Sequence, residues 1–152
     1  MPTLYTVDAS VFVNAYNIHE AGHAESLRFV AWLQSSGEPM LAPSLLLPEV
    51  AASISRVYRD EAMALEFADS LRALTHLTLI PVNDTVAWQA AEIAAQYRLR
   101  GSDAVYVAVA RRYGATLVTL DREQRERAAA VVETLSPAEA VAALSRPIDE
   151  EG

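Results

Sequence analysis

Four carboxylates stand where short apolar runs stop or helices begin. Asp8 follows Leu4–Val7, Glu49 lies in Leu47-Pro48-Glu49-Val50, Asp103 lies in Gly101-Ser102-Asp103-Ala104, and Asp121 follows Thr116–Leu120. Carboxylates are hard oxygen ligands, and with no cysteine in the chain and no suitable histidine they select Mg2+ or Mn2+. Such ions activate water and clamp the oxygens of a phosphoryl group during in-line attack. Four carboxylates held within ~5–6 Å would repel by roughly 3 kcal/mol per pair at an effective dielectric of ~20, so a fold that gathers them needs a cation. Each also has a plainer reading. Acidic residues favour the first turn of a helix, and Asp121 with Gln124 resembles a capping box.

A second pattern competes with the first. His19-Glu20-Ala21-Gly22-His23 matches the H-E-x-x-H signature of zinc metallopeptidases, in which both histidines hold zinc and the glutamate is the general base. It falls at the junction of two expected helices, and His76 is the only other histidine. A polar helix start that happens to match explains it as well.

The elements that must position these groups follow from hydrophobic period. Leu4–Val7, Pro39–Ala42, Leu77–Val82, Thr116–Leu120 and Val131–Leu135 read as short strands. Between them, helices are expected over Ser10–Asn17, Ala21–Gln34, Pro43-Ser44 to Arg59, Ala62–Leu74, Asn83 (as cap) to Tyr97, and Gly101 to Tyr113, with a last start at Ser136-Pro137. Leu27, Val30 and Ala31 mark the apolar face expected for the second helix, and Phe29, Trp32, Phe67 and Trp88 read as core. Strands alternating with helices predict an α/β domain with a central parallel sheet covered on both faces. In such sheets ligands bind beyond the carboxyl ends of the strands, where all four acids would then lie.

Composition narrows the chemistry. The chain has 152 residues, 52% of them hydrophobic, with a net charge of −8. One domain over residues 1–146 is expected, followed by an acidic frayed tail over 147–152. No apolar run reaches the ~18 residues of a membrane span, and the N-terminus lacks a secretory leader, so the sequence reads as soluble and cytoplasmic. All twelve basic residues are arginine. The missing lysine excludes P-loop hydrolases, Schiff-base enzymes, receiver domains and haloacid-dehalogenase-type phosphatases; the last would also need an acid where Ser10 stands. The five glycines form no G-x-G-x-x-G, which excludes that route to dinucleotide binding. An acidic protein binds nucleic acid only through a local basic rim, a metal ion or both. Arg98 and Arg100 precede Asp103, and Arg122, Arg125 and Arg127 follow Asp121; the latter alternate with Glu123 and Glu126 as a solvated helix face would.

Four pieces in order, Val7-Asp8-Ala9-Ser10-Val11, Pro43-Ser44 with Leu47-Pro48-Glu49-Val50, Ser102-Asp103-Ala104-Val105-Tyr106-Val107-Ala108-Val109-Ala110 and Leu117-Val118-Thr119-Leu120-Asp121, carry a family likeness. Over roughly Leu4 to Leu144 the sequence resembles PIN-domain proteins, and most closely the VapC-type ribonuclease toxins of bacterial and archaeal toxin–antitoxin pairs. The resemblance implies a three-layer α/β/α fold and a metal-dependent endoribonuclease. By position Asp8, Glu49, Asp103 and Asp121 correspond to the family's acidic cluster, with Asp8 and Asp103 as the firmest metal ligands. Ser10 and Thr119 match hydroxyl positions that support such a site; a helix cap and an ordinary strand residue are their plainer readings. The implied mechanism is hydrolysis of an RNA phosphodiester by a metal-activated water, with a carboxylate taking the proton, leaving a 5′-phosphate and a 3′-hydroxyl. Arg98 or Arg100 would contact substrate. The resemblance also implies a homodimer and a small antitoxin partner. A zinc metallopeptidase and a non-catalytic PIN-like scaffold are the alternatives.

Overall fold

The computed structural model describes residues 3–144, so the acidic tail expected over 147–152 lies outside the described residues. Within these residues five strands form one sheet: β1 (Tyr5–Val7), β2 (Met40–Pro43), β3 (Leu77–Ile80), β4 (Thr116–Val118) and β5 (Thr134–Leu135). Every pairing is parallel and the order is β3-β2-β1-β4-β5. Among the described residues eight helices accompany them: α1 (Ala9–Tyr16), α2 (His23–Ser36), α3 (Leu46–Tyr58), α4 (Glu61–Arg72), α5 (Asp84–Tyr97), α6 (Gly101–Tyr113), α7 (Arg122–Ala128) and α8 (Pro137–Leu144). The result is the expected three-layer α/β/α architecture with a central parallel sheet.

Strands this short are held by burial on both sides. Every residue of β1, β2 and β4 is buried, which is why they read as continuous apolar runs rather than alternating ones. Tyr5 meets the rings of Phe29 and Trp32 of α2 edge-on, at centroid separations of 5.3 and 6.3 Å. Leu41 packs instead with Ile80, Val86 and Val109, a cluster that joins β2 and β3 to α5 and α6. α6 runs over β2, β1 and β4, and its Ala104, Tyr106, Val107, Val109 and Ala110 are fully buried.

Two expectations about helix faces fail. α2 buries Ser26, Phe29 and Leu33, while Leu27 and Ala31 are exposed and Val30 is half-buried. The stripe at i, i+3 and i+7 is anchored by Phe29, whose ring meets Tyr5, so Leu27 turns outward. Trp88 is 69% exposed, not core. α5 buries Val86, Ala90 and Ile93, and Trp88, two residues from both Val86 and Ala90, projects from the opposite face. Phe29 is core as expected, and Trp32 and Phe67 pack against it partly buried.

The strand ends also move. β3 stops at Ile80, β4 at Val118, and β5 is reduced to Thr134–Leu135, with Val131 and Val132 in the preceding turn. β2 extends through Pro43, and α3 begins at Leu46, which leaves Pro48 in the first turn, where its missing N–H costs nothing.

Candidate active site

The parallel register delivers the acids to one edge of the sheet. Val7 pairs with Val118, so Asp8 and Thr119 emerge side by side, and the Asp8 amide still donates to Val118 O at 3.0 Å. Asp8 caps α1 and Asp121 caps α7, while Glu49 and Asp103 occupy the first turns of α3 and α6. The partial positive charge of a helix N-terminus favours an anion at each place.

Asp8 is buried and fixed from three sides. Its Oδ2 accepts hydrogen bonds from the Ser10 amide (3.2 Å), the Ser10 hydroxyl (2.5 Å) and the Thr119 hydroxyl (3.2 Å). Ser10 Oγ accepts in turn from the Leu120 amide at 3.3 Å, which ties α1 to the end of β4. Thr119 Oγ1 also lies 2.7 Å from Gln124 Oε1 and accepts from the Asp121 amide at 3.2 Å. Ser10 and Thr119 therefore act on the acid itself, beyond the helix-cap and strand roles their positions would also fit.

The capping box expected at Asp121 forms only by half. Asp121 Oδ1 accepts from the Gln124 amide at 3.1 Å, but the buried Gln124 side chain turns to Thr119 and, at 3.5 Å, to the Asp103 carbonyl. The sequence pattern shows the cap; the diverted amide depends on β4 and α6 lying beside α7. Arg125 braces the same corner, donating to Thr119 O at 2.8 Å.

The acids sense one another. Asp103 is pushed up to about 6, first by burial and then by the charges of Asp8 and Asp121, with a smaller push from Glu49 and partial relief from Arg100. Glu49 is raised by burial and by Asp8. Asp8 is raised by burial and by Asp121, against the pull of its three hydrogen bonds. Tyr106, beneath the site, is raised by burial and by the Asp8 and Glu49 charges, so its phenol stays protonated. Glu49 Oε1 and Tyr106 OH are both buried without a partner in full hydrogen-bond geometry, although the phenol lies close enough to favour the Glu49 carboxylate.

Asp8, Ser10, Glu49 and Asp103 line a cleft of about 390 Å³. Asp121 is absent from its lining and acts on it by charge. Ser53 and Arg56, which the sequence reading passed over, line it too; their signal was the spacing Glu49, Ser53, Arg56 at i, i+4 and i+7 along one helix. Tyr106 and Gln124 were missed for a different reason, since an apolar stretch and a charged helix carry no mark of a buried polar partner. A hollow of about 430 Å³ between α3 and α4 is slightly larger, but Arg72 and Asp69 pair with each other there, on the exposed side of α4, and none of the four acids lines it.

Among the described residues, no three histidine or carboxylate groups stand together as a ready metal cage. The donor set nevertheless fits a hard divalent cation. It is all oxygen, it includes a buried and unpartnered carboxylate atom, and its members repel one another. Mg2+ in particular keeps several waters and needs only one or two carboxylates directly.

The basic residues divide. Arg100 acts on Asp103, whereas Arg98 is an exposed C-cap in the left-handed region (φ 57°) whose carbonyl accepts from Arg127. Arg122 pairs with Glu126 and Arg127 with Glu123, as on a solvated helix face.

The H-E-x-x-H pattern does not form a zinc site. His19 to Gly22 make the turn between α1 and α2, broken by Gly22 at φ 83°, and only His23 is helical. The buried Asn14 donates from Nδ2 to Glu20 Oε1 and to Ala21 O, both at 2.9 Å, and its carbonyl lies 2.8 Å from His23 Nδ1. The two histidines therefore cannot share the face of one helix, and the glutamate is engaged in holding the turn.

Residues 5–130 match the family model of the PIN domain. The chain belongs to the PIN domain family. Among solved structures, VapC20 of Mycobacterium tuberculosis, described as a sarcin-ricin loop cleaving toxin, is similar at 25% identity and a TM-score of 0.69, over 85% of this chain and 97% of that one. PAE2754 of Pyrobaculum aerophilum aligns at 21% identity and a TM-score of 0.66, over 96% of this PIN chain and all of the other. VapBC2 of Rickettsia felis, solved with a fragment of promoter DNA, aligns at 16% identity and a TM-score of 0.67, over 88% and 98%. No curated protein matches this PIN domain by sequence. No helix among its described residues is long and apolar enough to cross a membrane.

Proposed function

We propose that this PIN protein is a metal-dependent endoribonuclease and the toxin of a toxin–antitoxin pair. The observation that carries the reading is that Asp8, Glu49 and Asp103 line one cleft, each raised first by burial and then by a neighbouring acid, as for acids gathered for a cation or a proton transfer. A similar structure described as a toxin that cleaves the sarcin-ricin loop, and another solved as a VapBC assembly, support the substrate class and the antitoxin partner.

Asp8 and Asp103 would hold Mg2+ or Mn2+, with Glu49 and Asp121 completing the set directly or through water. When bound, such an ion lowers the pKa of water and offsets charge on phosphoryl oxygens. The hydrogen bonds that Asp8 receives from Ser10 and Thr119 all fall on Oδ2 and so fix the carboxylate's orientation, leaving Oδ1 without a hydrogen bond among the described residues. The Glu49 carboxylate, raised by burial and facing the cleft, accepts the proton of the attacking water. No histidine lines the cleft, so the leaving 3′ oxygen takes its proton from solvent. Arg100 steadies Asp103 and offers charge to the RNA backbone; Arg98 is kept as a lesser candidate.

The reading includes a homodimer and a cytoplasmic setting. Exposed Ile18, Val57 and Leu65 give a partner apolar surface to cover. The test is cleavage of RNA by purified protein with Mg2+ or Mn2+. Asp8→Asn and Asp103→Asn should abolish cleavage while circular dichroism stays native. Cleavage that survives EDTA, or survives both substitutions, contradicts the reading.

A further inference from the structure

We infer that Arg56 holds a phosphate of the RNA strand next to the one that reacts. The inference rests on the ribonuclease reading and names a substrate contact within it. Glu49, Ala52, Ser53 and Arg56 recur at i, i+3, i+4 and i+7 along α3, so one helix face forms a wall of the cleft. Arg56 is the only cationic residue in that lining. It lies seven residues beyond Glu49, about 10 Å along the helix axis at ~1.5 Å per residue. That offset places it beside the acid cluster rather than in it.

Three features favour an anionic ligand for this guanidinium. Arg56 is exposed, and among the described residues it takes part in no salt bridge, unlike Arg72, Arg122 and Arg127. Ala52 and Ser53 separate it from Glu49 with small side chains, which keeps that wall low enough for a strand to lie across it. The protein carries a net charge of −8, so a polyanion entering an acidic cleft needs a local cation to offset repulsion. The planar fork of arginine matches two phosphate oxygens at once. Arg100 does not duplicate this role, because it lies outside the lining of the cleft.

The experiment compares wild type, Arg56→Ala, Arg56→Lys and Arg112→Ala. Arg112 is exposed in the last turn of α6, outside the cleft, and controls for the lost charge. Binding of a fluorescein-labelled single-stranded RNA is measured by anisotropy in EDTA from about 50 to 200 mM NaCl, and cleavage of the same RNA is measured with Mg2+. Arg56→Ala should raise Kd and KM about tenfold, near the lower end for a charge-assisted hydrogen bond, with kcat little changed. It should also make the slope of log K against log salt shallower by about 0.7, the share of one phosphate on a single strand. Arg56→Lys should restore the salt slope, and Arg112→Ala should match wild type. Unchanged KM and slope in Arg56→Ala, or an equal shift in Arg112→Ala, overturns the inference while leaving the nuclease intact. Wild-type protein that neither cleaves nor binds RNA overturns both.

Discussion

The Thr119 hydroxyl lies 3.2 Å from Asp8 Oδ2 although 111 residues separate the two in the chain. Parallel pairing of β1 with β4 creates this contact, and Gln124 anchors it from behind at 2.7 Å from the same hydroxyl. Thr119→Val keeps the shape of the side chain and removes its oxygen. Gln124 Oε1 and the Asp121 amide then lose their partner, which should cost about 1–3 kcal/mol in urea unfolding. Cleavage should fall at the same time, because Asp8 loses one of the bonds that orient it. Stability equal to wild type would show that the network does not hold the site.

Ser10→Ala tests the other arm of that network. It strips the 2.5 Å hydrogen bond from Asp8 and the acceptor of the Leu120 amide. Slower cleavage with Mg2+ affinity weakened about 10–100-fold is expected, as for other groups that orient a metal ligand. Calorimetric titration with Mg2+ checks it, and unchanged affinity would reduce Ser10 to a helix-start residue.

Stability without metal should depend on pH in a definite direction. The folded state holds the Asp103 proton more tightly than the unfolded chain, at about 6 against an ordinary 3.8. Its contribution is therefore fully present below pH 3.8 and is lost as pH rises through about 6. Asp8 and Glu49, raised for the same reasons, add in the same sense. In EDTA, wild type should lose melting temperature between pH 5 and pH 7.5 relative to Asp103→Asn, and the variant should be the more stable at pH 7.5. Parallel curves for the two proteins would contradict the coupling of the acids.

Glu20→Gln should leave RNA cleavage unchanged, since Glu20 meets Asn14 in a turn and not a metal. Asn14→Ala should instead cost about 1–3 kcal/mol, because the buried amide holds Glu20 and Ala21 O together. Zinc-dependent peptidase activity lost in Glu20→Gln would reverse this assignment.

Much of the architecture was legible because it rests on local signals. Asn83 caps α5 through the Val86 amide, and Ser136 with Glu139 forms a reciprocal capping box, each written in adjacent residues. The acids were legible for the same reason: each directly follows a strand or opens a helix. What escaped depends on packing between distant segments. Trp88 read as core by hydrophobicity, yet the side of α5 that meets the sheet is decided by Val86, Ala90 and Ile93. Thr119 was marked as a supporting hydroxyl only through the family likeness, and its tie to Asp8 exists because β1 and β4 are neighbours. Arg56 was visible as a charge, but its place in the cleft depends on α3 packing beside α1.

The most direct test of shared coordination is Mn2+ binding followed by electron paramagnetic resonance in wild type, Asp8→Asn and Asp103→Asn. A common ion predicts that wild type binds Mn2+ and that each substitution weakens binding by at least about tenfold, since even groups that only orient a ligand contribute that much. No binding to wild type, or affinity unchanged in both variants, would contradict the claim that these carboxylates serve one cation.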